Sequence, residues 1–332
     1  MSELSSRVLV TGASGFIGNR LCQVLLDSGY TVRAALRRPS QHLGLAAVEH
    51  VIVGDIGSDS RWDESLQHVD YVVHLAARVH VMKESLRDPL TEYREVNTAA
   101  TAHLARQAAG QGVKRFIYVS SIKVNGEATA GRPFFADDMP DPQDPYGVSK
   151  AEAEQQLRDI SEQVNMEVVI VRPPLVYGSG VGGNFLRLMQ LVERGVPLPL
   201  ASIHNARSMV SLNNMVDLLV RCLEHPGAAN ETFLAADGMD WSTPALLRCI
   251  AQYMGVSVRL FPLSPAFLRL AGRVSGQLGA VNRLCGSLEL NINKTRELLD
   301  WVPPQQPHEA VRQAVEGYLG NRQVLPSPET KT

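Results

Sequence analysis

The feature that most limits how this chain can fold lies at its start. A short apolar run at 7–10 passes directly into Thr11-Gly12-Ala13-Ser14-Gly15-Phe16-Ile17-Gly18, after which Leu21, Val24, Leu25 and Leu26 recur at helical spacing. A strand that turns through glycines into a helix opens a βαβ unit. Glycines let the backbone approach a pyrophosphate, and the unpaired N–H groups and dipole of a helix N-terminus favour an anion there. The spacing is Gly-x-x-Gly-x-x-Gly, not the commoner Gly-x-Gly-x-x-Gly. Gly12, Ser14, Gly15, Phe16 and Ile17 are therefore expected to hold a dinucleotide.

The same alternation continues through the first half. Runs rich in β-branched residues at 31–36, 50–53, 71–75, 115–119 and 168–171 are separated by stretches of helical periodicity. The runs are nearly continuous apolar segments, as expected of strands covered by helices on both faces. The prediction is an α/β fold with a doubly wound parallel sheet over 1–172. After Arg172 the texture changes to loops punctuated by Pro and Gly, such as 178–183 and 197–199. A smaller C-terminal lobe over 173–325, partly interleaved with the sheet domain, and a tail at 326–332 complete the expected organisation.

Composition narrows the partner. Lys and Arg total 32 against 34 for Asp and Glu, with no long run of either sign, so nucleic acid is not indicated and a small molecule is. Cys22, Cys222, Cys249 and Cys285 have neither CxxC nor zinc-ligand spacing, which suggests reduced thiols and no metal. Residues 1–7 do not resemble a signal peptide, and no apolar run is long enough for membrane insertion, so a cytoplasmic protein is expected. The segment 264–285 carries Arg269, Arg273 and Arg283 among leucines, which suits a helix on a membrane surface. Glycines at 272, 276 and 279 weaken such a helix, and a substrate lid is the preferred expectation.

Where the second strand ends, Arg37-Arg38-Pro39 replaces the acidic residue that would accept the ribose hydroxyls. Guanidinium groups can bind a 2′-phosphate, so NADP(H) is preferred and NAD(H) is possible. Asp55, followed by Ile56, is placed to accept from the adenine amino group or to cap a helix. Asp144-Pro145-Tyr146-Gly147-Val148-Ser149-Lys150 reads as a helix start, with Asp144 as N-cap. Tyr146 and Lys150 then share one helix face. An ammonium beside a phenol can lower its pKa toward the working pH, as acid–base catalysis requires. Ser120-Ser121 closes the strand at 115–119, at the carboxyl edge where ligands bind such sheets.

The glycine turn, Asp55, His74-Leu75-Ala76-Ala77, Asn97, Ser121, Tyr146, Lys150 and Arg172-Pro173-Pro174 occur in the order and spacing of the extended short-chain dehydrogenases, the NAD-dependent epimerase/dehydratase family, which this chain resembles over nearly its whole length. The resemblance implies a Rossmann-type sheet with a C-terminal substrate-binding lobe. It makes Tyr146 the acid–base, Lys150 the partner of the nicotinamide ribose, and Ser121, in preference to Ser120, the residue that bonds the reacting oxygen. Leu75, Ala76, Ala77, Asn97 and Pro173 would line the cofactor. The family pattern places a Tyr where Asn125 stands. His74 reads as structural.

The resemblance also implies a nucleoside-diphosphate sugar substrate, UDP-linked, with Arg78, Ser121, Asn184 and Arg207 contacting it, and a homodimer built on the helices near 87–111 and 145–163. Dehydratases carry Asp-Glu where this chain has Ile122-Lys123, which argues against dehydration. Segments 74–82 and 121–127 look like those of bacterial enzymes that reduce UDP-4-keto-6-deoxy-N-acetylglucosamine in O-antigen synthesis. NADPH-dependent reduction of a 4-keto nucleotide sugar is the expected reaction. A UDP-sugar 4-epimerase with bound NAD, a reductase of a non-sugar ketone and a non-catalytic NAD(P)-binding sensor are the alternatives.

Overall fold

A computed structural model describes residues 5–39, 44–79 and 88–324, with side chains as far as 321. His80, Val81, Met82, Arg87 and the tail 326–332 lie outside the described residues. In chain order the strands are β1 (Arg7–Thr11), β2 (Thr31–Leu36), β3 (Glu49–Ile52), β4 (Tyr71–His74), β5 (Arg115–Val119), β6 (Glu167–Arg172), β7 (Leu175–Tyr177), β8 (Arg207–Ser211), β9 (Thr232–Leu234) and β10 (Asp240–Trp241). Among the described residues, seven form one parallel Rossmann-type sheet in the order β3-β2-β1-β4-β5-β6-β9. The strand order reverses between β1 and β4, and the crevice at their carboxyl ends is where such sheets hold ligands.

Alternate residues of each strand enter opposite layers. Val8 and Val10 face Leu21, Cys22 and Leu25 of the helix Phe16–Asp27 and Met215 and Leu219 of the helix Leu212–Glu224. Leu9, Val72 and Phe116 face Leu104 and Ala105 of the helix Ala100–Gly110 and Leu157 of the helix Pro145–Gln163. Full burial of such an aliphatic side chain contributes about 1.5–3 kcal/mol. Ala102, Ala105 and Ala108 belong to this core and pack inward.

A three-stranded sheet, β10-β8-β7, and a third core built on Tyr177, Phe185, Met189, Trp241, Ile250 and Val311 make the smaller lobe. β9 returns from this part of the chain to pair with β6. The segment 264–285 forms two helices, Pro265–Val274 and Leu278–Cys285, despite its glycines. Ser264 caps the first by accepting from the Ala266 N–H, and Pro265 occupies a first-turn position. Gly272 is used for contact, since a Cβ there would lie 2.7 Å from Val281 Cγ2. No helix among the described residues is long and apolar enough to cross a membrane.

Candidate active site

The glycine turn forms a cradle that side chains would fill. Gly12 adopts φ +68°, and a Cβ on it would stand 2.9 Å from the Ala76 backbone nitrogen, beside Leu75. A Cβ on Gly18 would sit 2.2 Å from the Gly12 carbonyl oxygen. Gly15 is the N-cap of the helix Phe16–Asp27 and offers no capping side chain, which leaves the first-turn N–H groups for an anion. Ile17 packs into the first core and Phe16 against the third, so both would serve a dinucleotide through their backbone. Thr11 ties the two loops together: its hydroxyl accepts from the Ala76 N–H at 3.2 Å and meets His74 Nδ1 at 2.7 Å.

His74 is structural. It is buried between Thr11 and Thr101, stacks on Tyr118, and burial pushes its pKa down to about 3. Asn97 lies in a π-helical turn, Arg94–Ala99, where it clamps the loop after β4: its amide pairs with both backbone groups of Arg78 and donates to Ser149 Oγ at 3.1 Å. The Arg78 side chain bonds Glu92. Arg37 and Asp55, assigned separately from the sequence, face each other at 3.6 Å with side chains 71% and 84% exposed. Arg38 is exposed beside them, and Ile56 packs into the second core.

The helix Pro145–Gln163 begins as its sequence indicates. Asp144 accepts from the Gly147 N–H at 2.7 Å, with Pro145 in the first turn. Asp144 also bonds Lys123, one of the two residues that stand where dehydratases carry Asp-Glu. The Ser121 hydroxyl hydrogen-bonds the Tyr146 phenol. Lys150 Nζ lies 5.9 Å from the Tyr146 ring centre and donates to the Val119 carbonyl at 2.9 Å. Burial, with Asp144 and Tyr93 adding to it, pushes the phenol up to about 12, and burial pushes the ammonium down to about 7. The expected lowering of the tyrosine by Lys150 is thus not found in the protein alone: desolvation dominates, and it is the Ser121 hydroxyl that opposes it.

Ser120 and Ser121 take different roles in the structure. Ser120 Oγ donates to Glu154 Oε1 at 2.6 Å, deep beneath the helix. Glu154 in turn pairs with Arg172 through bonds of 2.9 and 2.5 Å, and both side chains are almost wholly buried. Arg172 completes its set with Asn125 Oδ1 and the Ala136 carbonyl. Asn125, the departure from the family pattern, is therefore a partner of the buried guanidinium, and its own amide donates to the Phe135 carbonyl. Pro173 accepts from the Ile122 N–H at 3.0 Å and so links the end of β6 to the Ser121 turn.

Leu175 leads from β6 toward a cavity of about 360 Å³ in the smaller lobe. Asn184, Arg187, Arg207, Trp241 and Arg283 share its lining with Leu175 and Leu188. Arg207 Nη1 donates to the Gly286 carbonyl at 2.9 Å, and burial with Arg283 nearby lowers its pKa. Two guanidinium groups held this close favour an anion of more than one charge. Arg187 and Trp241 escaped the reading of the sequence, whereas Arg283 belongs to the segment it expected to form a lid. Among the described residues, no cluster of His, Cys, Asp and Glu suits a metal ion.

The sequence profile of the NAD dependent epimerase/dehydratase family matches residues 8–236. The chain is 45% identical over 320 residues to a UDP-glucose 4-epimerase of Vibrio cholerae, covering 96% of this chain and 97% of that protein. It is 27% identical over 260 residues to the N-acetyl-alpha-D-glucosaminyl-diphospho-ditrans,octacis-undecaprenol 4-epimerase of Escherichia coli O157:H7, covering 77% and 74%. The fold matches that of a Thermotoga maritima UDP-glucose 4-epimerase solved with UDP-glucose, with a TM-score of 0.76, 23% identity, and coverage of 95% and 99%. These comparisons overturn the NADPH-dependent reduction expected above. The inference from Arg37 and Arg38 to an exchangeable NADPH has a physical weakness: Arg37 is solvated and faces Asp55, a carboxylate.

Proposed function

The chain belongs to the NAD dependent epimerase/dehydratase family and is an NAD(P)-dependent enzyme, and from that premise we propose that it inverts C4 of a UDP-hexose with a retained NAD. The observation that carries this reading is the 45% identity to the Vibrio cholerae UDP-glucose 4-epimerase along almost the full length of both chains. The cradle fits a dinucleotide, because Gly12 and Gly18 leave room where any side chain would collide with backbone. When bound, NAD supplies the acceptor and then the donor of the hydride at C4.

The residues of the chain supply the rest. Tyr146 takes the proton of the C4 hydroxyl and returns it after the sugar turns over, while Ser121 bonds the same oxygen. A cationic nicotinamide beside the phenol offsets the burial that raises its pKa. Lys150 holds the nicotinamide ribose and adds positive charge. Arg207, with Asn184, holds the diphosphate and base, and so fixes the nucleotide while the hexose rotates. We also infer a homodimer through the helices near 87–111 and 145–163, an inference that rests on resemblance to the family. Light scattering that gives only monomer at micromolar concentration ends it.

The test of the reaction is direct. Purified protein given UDP-glucose, UDP-galactose or their N-acetylated counterparts, without added nicotinamide, should convert each to its C4 epimer. Acid denaturation should release NAD in stoichiometric amount. Release of NADP instead would support the preference that Arg37 and Arg38 suggest. No interconversion, with turnover only of a 4-keto sugar and added NADPH, would overturn the proposal.

A further inference from the structure

The helix Pro265–Val274 leaves an apolar face uncovered. Phe267, Leu270 and Val274 are 62%, 58% and 84% exposed, and their spacing of three and four residues puts them on one side. Leu268 packs toward the core of the lobe and Gly272 against Val281, so the helix is anchored by its other side. Phe261, four residues ahead of the helix in sequence, is also 44% exposed. Exposed apolar side chains clustered this way mark an interaction surface.

The charge around the patch identifies what it meets. Residues 241–288 contain five arginines, no lysine and no Asp or Glu, in a chain whose formal net charge is −2. Arg269 and Arg273 are exposed on a flank of the same helix, and Arg259 is exposed on the segment leading into it. Apolar side chains beside arginine, without acidic residues, suit an anionic lipid surface, where the rings and branched chains enter the acyl boundary and the guanidinium groups stay with phosphates. A second copy on this face would bring arginines against arginines around the two-fold axis.

We propose that the helix Pro265–Val274 docks this protein, peripherally, on an anionic bilayer surface. At ten residues, or about 15 Å, the helix can lie in the interface and cannot cross it. The adjoining helix Leu278–Cys285 contributes Ala280, Arg283 and Leu284 to the wall of the cavity. Docking therefore brings the cavity to the level of the lipid headgroups. This inference is independent of which sugar the site turns over.

The full chain should sediment with vesicles of mixed phosphatidylglycerol and phosphatidylcholine, and not with phosphatidylcholine alone. Raising the salt should release it. Leu270→Asp should weaken the partition roughly tenfold or more. Arg269→Gln with Arg273→Gln should weaken it about thirtyfold, at roughly 1 kcal/mol per charge. Each variant should keep its thermal midpoint and its turnover of soluble substrate, which separates loss of docking from loss of fold; Leu270→Gln serves if the aspartate variant unfolds. Equal binding to neutral and anionic vesicles, or no binding to either, overturns the proposal. So does a wild-type dimer that Leu270→Asp splits without lipid, because the face then belongs to a second copy.

Discussion

The cradle between β1 and β4 and the cavity of the smaller lobe are built by different means. The cradle is backbone: it works because Gly12 and Gly18 have no side chain and because the helix Phe16–Asp27 begins where a phosphate can reach its N–H groups. The cavity is side chain: Leu175, Asn184, Arg207, Trp241 and Arg283 come from segments far apart in sequence. The difference predicts how each should fail. The cradle should tolerate almost no substitution and lose the cofactor outright, whereas the cavity should lose affinity gradually, residue by residue.

The largest effect should come from the group between the two. Tyr146→Phe removes the acid–base hydroxyl and leaves both cradle and cavity intact, so turnover should fall by about 10² to 10⁴. The nucleotide released on denaturation should be unchanged in amount. Near-normal turnover by Tyr146→Phe removes the phenol from the mechanism.

A pair of glycine substitutions sharpens the contrast. Gly18→Ala would force a Cβ to 2.2 Å from a backbone oxygen that cannot swing aside, and should cost at least about 3 kcal/mol together with cofactor retention. Gly255→Ala, in the smaller lobe at φ +67° with open space around it, should cost only the left-handed strain of about 1–2 kcal/mol and leave the nucleotide content alone. Equal losses of thermal midpoint, with equal retention of cofactor, would show that close approach is not what the cradle needs.

Much of the cradle was legible because its information is local. The turn glycines fall within positions 12–18, and, separately, the capping Asp144, Pro145 and the four-residue spacing of Tyr146 and Lys150 fall within 144–150. The apolar runs placed β1 to β6 within a few residues of their ends because buried parallel strands carry little else. What was missed lies across long separations. Glu154 follows Lys150 by another four residues on the same helix face, a carboxylate among buried positions, and that signal could have suggested its pairing with Arg172. Nothing local shows that Asn125 completes the pair. Likewise β9 is three residues long, and its place beside β6 is decided by a partner more than sixty positions earlier.

Arg207→Ala tests the cavity side. Loss of a charge-assisted bond to a diphosphate is worth about 1.5–3 kcal/mol, so KM should rise roughly ten- to a hundredfold. Turnover at saturation should change only a few-fold, since the acid–base and the cofactor are untouched. A fall in kcat with unchanged KM would place Arg207 in the chemical step, and the division between a chemical cradle and a binding cavity would fail.

The smallest effect is expected at the rim of the cradle, where side chains could have mattered most. Arg37 stands at the carboxyl end of β2, where the adenosine ribose of a bound dinucleotide should lie. Yet it is largely exposed and faces Asp55 at 3.6 Å, and an ion pair in solvent contributes about 0–1 kcal/mol. Arg37→Ala should therefore change nucleotide retention by less than about fivefold, and added salt should shrink even that difference. A guanidinium gripping a 2′-phosphate would behave otherwise, with a loss of roughly ten- to a hundredfold. Titrating the wild type and Arg37→Ala with NAD and with NADP at two ionic strengths distinguishes the cases. If only NADP weakens, and by more than tenfold, the rim reads the cofactor through a side chain, and the cradle is not the purely backbone device that its glycines suggest.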